Sequence, residues 1–166
     1  MPISAYQASV PVFNQMLRAL SAVLDKAAAA PGAGDFPDAR LAPDMLPLSK
    51  QVQIATDHAK GATARLSGMT VPSFEDTETT LPELKQRIAK TLDFIGSVDA
   101  ASFDGGEARD VSLKIGGHDT TMGGSEYLLH FALPNFFFHV TTAYDILRHK
   151  GVPIGKPDFM GRSPGR

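Results

Sequence analysis

Two histidines and an asparagine stand where side-chain chemistry is plausible. Asn135 and His139 are four residues apart, so on a helix they lie one above the other on a single face. Thr142 continues that stripe. His58 lies far away in sequence, flanking the apolar seam of another helical stretch, with Ala55 and Ala62 as small neighbours. Gln51 and Asp44 precede His58 by seven and fourteen residues, on roughly the same stripe. Two facing helices would gather these groups, with Tyr6 as a further partner, into a polar pocket. Imidazole nitrogen and amide oxygen are acceptable ligands for zinc, nickel or iron. Buried unpaired, such groups cost about 1–3 kcal/mol each, so they need partners. Three readings are open. A divalent metal ion sits on His58, Asn135 and His139; or the pocket takes a small molecule without metal; or the histidines are held at the core or its rim by Thr142, Tyr6 or a backbone carbonyl.

The other histidines carry less. His130 is nine residues before His139 and points to the other side of the helix, His118 falls in a turn, and His149 is a cation in a last helical turn. Asp57 and His58 are sequence neighbours whose side chains diverge, so they form no dyad. Glu75, Asp76 and Glu78 make an acidic loop, expected to be a solvated surface. No phosphate-binding glycine pattern and no Gly-x-Ser-x-Gly elbow occurs: Gly116-Gly117 and Gly123-Gly124 lack the spacing and a following Lys-Ser/Thr.

The elements that must position these residues are helical. Four stretches, 2–30, 45–67, 81–98 and 125–150, carry apolar residues in alternating steps of three and four. The first has Ile3, Tyr6, Val10, Phe13, Leu17, Leu20 and Leu24, with Pro11 predicting a bend or a small break. The second has Met45, Leu48, Val52, Ala55, Ala59, Ala62 and Leu66, small enough for close approach, with Asp44 near its N-cap, Pro47 in its first turn and Gly68 as its stop. Thr80 and Glu83 form a capping box for the third. The fourth has Leu128, Ala132, Asn135, His139, Thr142 and Ile146 as its seam, and Pro134 predicts a kink just before Asn135. Residues 109–115 and 118–122 alternate around Gly116-Gly117 and predict a short β-hairpin. Phe136, Phe137 and Phe138 go right round the fourth helix. A second subunit or loops must cover their outer side, and the tail 152–166 is a candidate cover.

The chain has 166 residues, which is one domain, 1–166. With 16 Lys plus Arg against 18 Asp plus Glu, the net charge of −2 offers no electrostatic reason for a nucleic-acid or anionic-membrane partner. The absence of cysteine excludes disulfides, a thiol nucleophile and Cys-ligated metals. No stretch is long and apolar enough to cross a membrane, and the start has no signal-peptide pattern, so the expected location is the cytoplasm. The expected architecture is all-α, a four-helix bundle with a crossover connection and a short hairpin before the last helix.

The segment Leu133-Pro-Asn-Phe-Phe-Phe-His-Val-Thr-Thr-Ala-Tyr-Asp-Ile-Leu-Arg-His-Lys-Gly-Val-Pro-Ile-Gly-Lys-Pro-Asp-Phe-Met-Gly161 resembles a bacterial family of unknown function in the DinB/YfiT-like superfamily. The segments Asp44-Met-Leu-Pro-Leu-Ser-Lys-Gln-Val52, through Leu66-Ser-Gly68, and Tyr6-Gln-Ala-Ser-Val-Pro11 resemble it too, and together the likeness covers nearly the whole chain. It implies a DinB-like bundle and commonly a homodimer. The superfamily includes metal-dependent thiol-transferases and an isomerase using a thiol cofactor, with one metal-binding histidine on helix two and a His-x-x-x-His pair on helix four. By position these fall near His58 and on Asn135 and His139, so this chain departs from the pattern at Asn135. Two functions follow as expectations. One is a dimeric, cytoplasmic binding or accessory protein with a polar pocket for a small molecule. The alternative is a metal-dependent transferase or hydrolase using His58, Asn135 and His139, with Asp44 or Gln51 orienting the ligands.

Overall fold

The structure is a computed structural model that describes residues 3–162. Four long helices carry it: α1 (Ala5–Ala28), α2 (Leu48–Ser67), α3 (Leu81–Ser97) and α4 (Leu133–His149). A hairpin of β1 (Asp110–Ile115) and β2 (His118–Gly123) precedes the last helix. This is the expected all-α bundle of four long helices with its hairpin before the last.

The caps explain where the helices begin. Ser4 and Gln7 form a reciprocal capping box at α1, and Thr80 and Glu83 form the one expected at α3. α2 starts differently. Pro47 takes the N-cap position without a side-chain hydrogen bond, and Asp44 is exposed in the loop before it. Gly68 at φ 76° ends α2, as anticipated, and Arg109 Nη1 donates to the Leu66 carbonyl at 2.9 Å. Pro11 lies on the exposed side of α1, and the helix runs through it unbroken.

α2 is the centre of the bundle. It packs on α3 along one side and on α4 along another, and α1 packs on α3 and α2. α3 and α4 follow each other in sequence yet sit on different sides of α2, which is the crossover. Ala55, Ala59 and Ala62 are fully buried and permit that close packing. Phe13 of α1 meets Phe136 of α4 edge-on, with centroids 4.8 Å apart.

Two departures matter for the site. Pro134 does not simply kink the last helix. The α turn Gly124–Glu126 passes into a π-helical segment, Tyr127–Ala132, which continues into α4. A residue without N–H breaks the ladder, and the wider turn absorbs the defect. The buried side of α4 is Phe136, Val140, Thr142, Ala143, Ile146 and Leu147. Asn135 and His139 were expected on the seam but lie half-buried at its edge.

The acidic loop is solvated only in part: Glu75 and Asp76 are exposed, whereas Glu78 is half-buried against Arg87. The extended link 68–80 is strapped onto α2 and α3 by Arg87, whose side chain is buried. Arg87 pairs with Asp57 (2.9 Å), Asp76 (3.0 Å) and Glu78 (3.2 Å), donates Nε to Thr56 Oγ1 (2.8 Å), and reaches the Glu75 carbonyl (3.0 Å). Phe74 of the strap lies beneath the ammonium of Lys90, 4.1 Å from the ring centroid. The hairpin turns at Gly116 and Gly117, both at positive φ (57° and 86°), which only glycine adopts readily at two successive positions.

Candidate functional site

The α2–α4 face brings His58 and His139 together. Their rings are near-parallel (14°) with centroids 6.0 Å apart, and Phe131 meets His58 edge-on at 5.7 Å. Gln51 holds His139. Gln51 Nε2 donates to the Leu46 carbonyl (3.0 Å), which turns its Oε1 to His139 Nδ1 at 2.7 Å. An amide oxygen only accepts, so Nδ1 carries the proton and the lone pair of His139 is on Nε2. Gln51 is thus brought to the pair, as its spacing from His58 suggested.

Both imidazoles are held neutral. Burial is the main cause of lowering His58 to about 4; His139 and Arg65 add to it and Asp57 opposes. Burial also lowers His139. Asp57, next in sequence to His58, faces the opposite way, into the Arg87 and Lys60 ion pairs of the α3 side.

The remaining sequence candidates fare unequally. Asn135 is beside the pair on α4, but its Nδ2 donates to the Phe131 carbonyl (2.7 Å), leaving only Oδ1. Thr142 donates to the Phe138 carbonyl (2.8 Å). Tyr6 is not part of this face. Its ring packs edge-on against Phe103 (5.3 Å), lining a separate hollow with Ser4, Gln7 and Glu107. Asp44 stays exposed in its loop. Thr142 alone of the seven lines a described hollow near this face, a cleft of about 440 Å³ with Leu41, Met45, Pro134, Phe137 and Phe138.

The donor set for a metal is therefore two imidazole nitrogens and one neutral amide oxygen. Among the described residues no three His, Cys, Asp or Glu side chains are grouped to hold an ion. Such a set is incomplete for zinc, whose sites use three or four imidazole, thiolate or carboxylate ligands.

Two residues of this face escaped the sequence reading. Arg65, a turn and more beyond His58, donates Nη1 to the hydroxyl of fully buried Tyr127 at 3.1 Å and lies over that ring. Burial raises the Tyr127 phenol above its ordinary value, against the pull of Arg65. Gly61 makes room for this, since a Cβ there would stand 2.5 Å from Arg65 Nη1. A glycine inside a helix costs about 1 kcal/mol relative to alanine, so its presence at 61 was the available signal.

The helical bundle with a two-stranded hairpin before its last long helix is a DinB-like fold. The crystal structure of a DinB family member protein from Shewanella denitrificans is similar to it, with 40% identity, a TM-score of 0.88, and coverage of 97% of this chain and 94% of that one. The family model described as "Domain of unknown function (DUF1993)" matches residues 5–160, and the chain belongs to that family. No curated protein matches it.

Proposed function

We propose that this chain is a dimeric binding or accessory protein that holds a small molecule at the α2–α4 face. The observation that carries the reading is the neutral imidazole pair, with His139 clamped by Gln51 so that Nε2 offers a lone pair. Two neutral imidazoles side by side, one with its free lone pair fixed in direction, are groups a polar ligand can hydrogen-bond. A second copy of the chain is the partner in this reading. Phe137 and Phe138 are 37% and 57% exposed and Leu41 is 40% exposed, and with Met45 they rim one cleft next to His139. Such a contiguous apolar rim is what a subunit contact covers. The cytoplasmic location belongs to the same reading; among the described residues no helix is long and apolar enough to cross a membrane.

The second reading is a metal-dependent transferase or hydrolase on His58, Asn135 and His139. Its support is the Gln51–His139 hydrogen bond, the kind of outer contact that orients a metal ligand. The thin donor set and the cation of Arg65 beside it place this reading second.

Native mass spectrometry of tag-free protein purified without chelator tests both. A dimer carrying an organic adduct that His139→Ala loses is the expected result. Stoichiometric metal lost in the same variant would move the assignment to the second reading. A bare monomer would contradict both.

A further inference from the structure

The Arg65 end of the imidazole face presents donors without acceptors. Arg65 uses Nη1 on Tyr127, and it has no carboxylate partner among the described residues. Tyr127 Oη accepts that bond, and its own O–H has no acceptor among the described residues. The neutral ring of His58 has one N–H and no hydrogen bond there. A cation in the last turn of a helix ordinarily serves the terminal carbonyls. Arg65 does not, because Arg109 already donates to the Leu66 carbonyl, and the guanidinium of Arg65 is turned back over Gly61 towards His58.

We propose that Arg65, anchored by Tyr127, and His58 form a subsite for the oxyanion of a small acidic ligand, a carboxylate or a phosphate. The chemistry follows from the inventory. Guanidinium and imidazole N–H both donate, and a ligand group that only accepts and carries negative charge matches both. Arg65 supplies the charge and its remaining donors, the buried Tyr127 hydroxyl holds the guanidinium in place, and Gly61 is the slot in which it lies. Phe131, edge-on to His58 and stacked on Tyr127 at 6.0 Å, forms the apolar wall beside them. The inference deepens the binding reading above and rests on it only for the part of the ligand that reaches His139.

The slot supplies a clean test. Gly61→Ala puts a methyl where Nη1 lies, and the displaced atom is the end of a flexible side chain in a helix that alanine favours. The variant should fold at least as well as the parent and lose the subsite. The full-length protein is titrated with inorganic phosphate and, separately, acetate, at constant ionic strength made up with chloride, while the ring resonances of His58 are followed by NMR. The expected result is a saturable shift of His58 by one or both oxyanions but not by chloride, with the tighter one naming the source. Gly61→Ala and Arg65→Gln should each weaken it about tenfold or more, as loss of a charge-assisted contact does, with Arg65→Lys intermediate. No shift in the parent, or an equal shift in Gly61→Ala with its fold shown intact by circular dichroism, overturns the subsite. The binding reading survives that outcome if the dimer still carries its His139-dependent adduct. It falls alone if the oxyanion response persists while that adduct is absent.

Discussion

His58 resists the proton that an unfolded chain would give it. Its pKa falls from 6.5 to about 4, chiefly through burial, with His139 and Arg65 adding to this and Asp57 opposing. Between those two values the unfolded state binds more protons than the folded one, so stability rises with pH and is lost as pH falls from about 6.5 towards 4. The full effect is roughly 3 kcal/mol at most. Carboxylates titrate in part of the same window, so the expected outcome is a difference. Denaturant unfolding at pH 7 and pH 4.5 should show a smaller acid loss in His58→Gln than in the parent. A second residue is simpler. Thr63 Oγ1 is buried without a hydrogen-bond partner among the described residues. Thr63→Val keeps the shape and removes the orphaned hydroxyl, and it should raise the unfolding free energy by about 1 kcal/mol in the same assay. The meeting of His58, His139 and Gln51 was legible from spacing; Asn135 instead bonds the Phe131 carbonyl. Arg65 and Tyr127 were not legible, because their meeting depends on a guanidinium folding back over Gly61, which no periodicity reports.

The helices were readable because their apolar steps and caps agree. Thr80 and Glu83 sit where the capping box was expected, and the Gly116-Gly117 hairpin closes as anticipated. The last helix shows where such reading fails. After the π segment Tyr127–Ala132, Phe136 and Val140 take the core places assigned to Asn135 and His139, while Thr142 and Ile146 stay buried as expected. The acidic strap was missed for another reason. Asp76 and Glu78 look solvated until Arg87, on the inner face of α3, is seen to hold them. Removing one partner of a buried pair costs about 3–5 kcal/mol, and here Asp57 and Asp76 are about two-fifths exposed and can rehydrate. Arg87→Met should therefore lower stability by about 2–3 kcal/mol. It should also make the link 68–80 the first site of limited proteolysis, read by mass spectrometry of the fragments.

For the whole molecule, the question is what covers the outer face of α4. The C-terminal turn Lys156–Phe159 was a candidate. It packs on α1, through Lys26 to Asp158 (2.6 Å) and Gln15 to the Met160 carbonyl (3.0 Å), and on Tyr144 of α4 through Phe159, and none of its residues lines the cleft of Phe137 and Phe138. Residues 163–166 of the tail lie outside the described range. Phe137 and Phe138 are thus left to a second copy in the reading proposed above. Phe138→Lys should shift the protein from dimer to monomer in light scattering while leaving its helical signal unchanged, since Phe138 is exposed in the single chain. The central claim remains the imidazole pair, and nitrogen NMR of the histidine rings at neutral pH, followed down to pH 4, addresses it most directly. The account predicts His139 protonated on Nδ1 with a free Nε2, and His58 neutral until near pH 4. A His139 carrying its proton on Nε2, or a His58 titrating near 6.5, would contradict it.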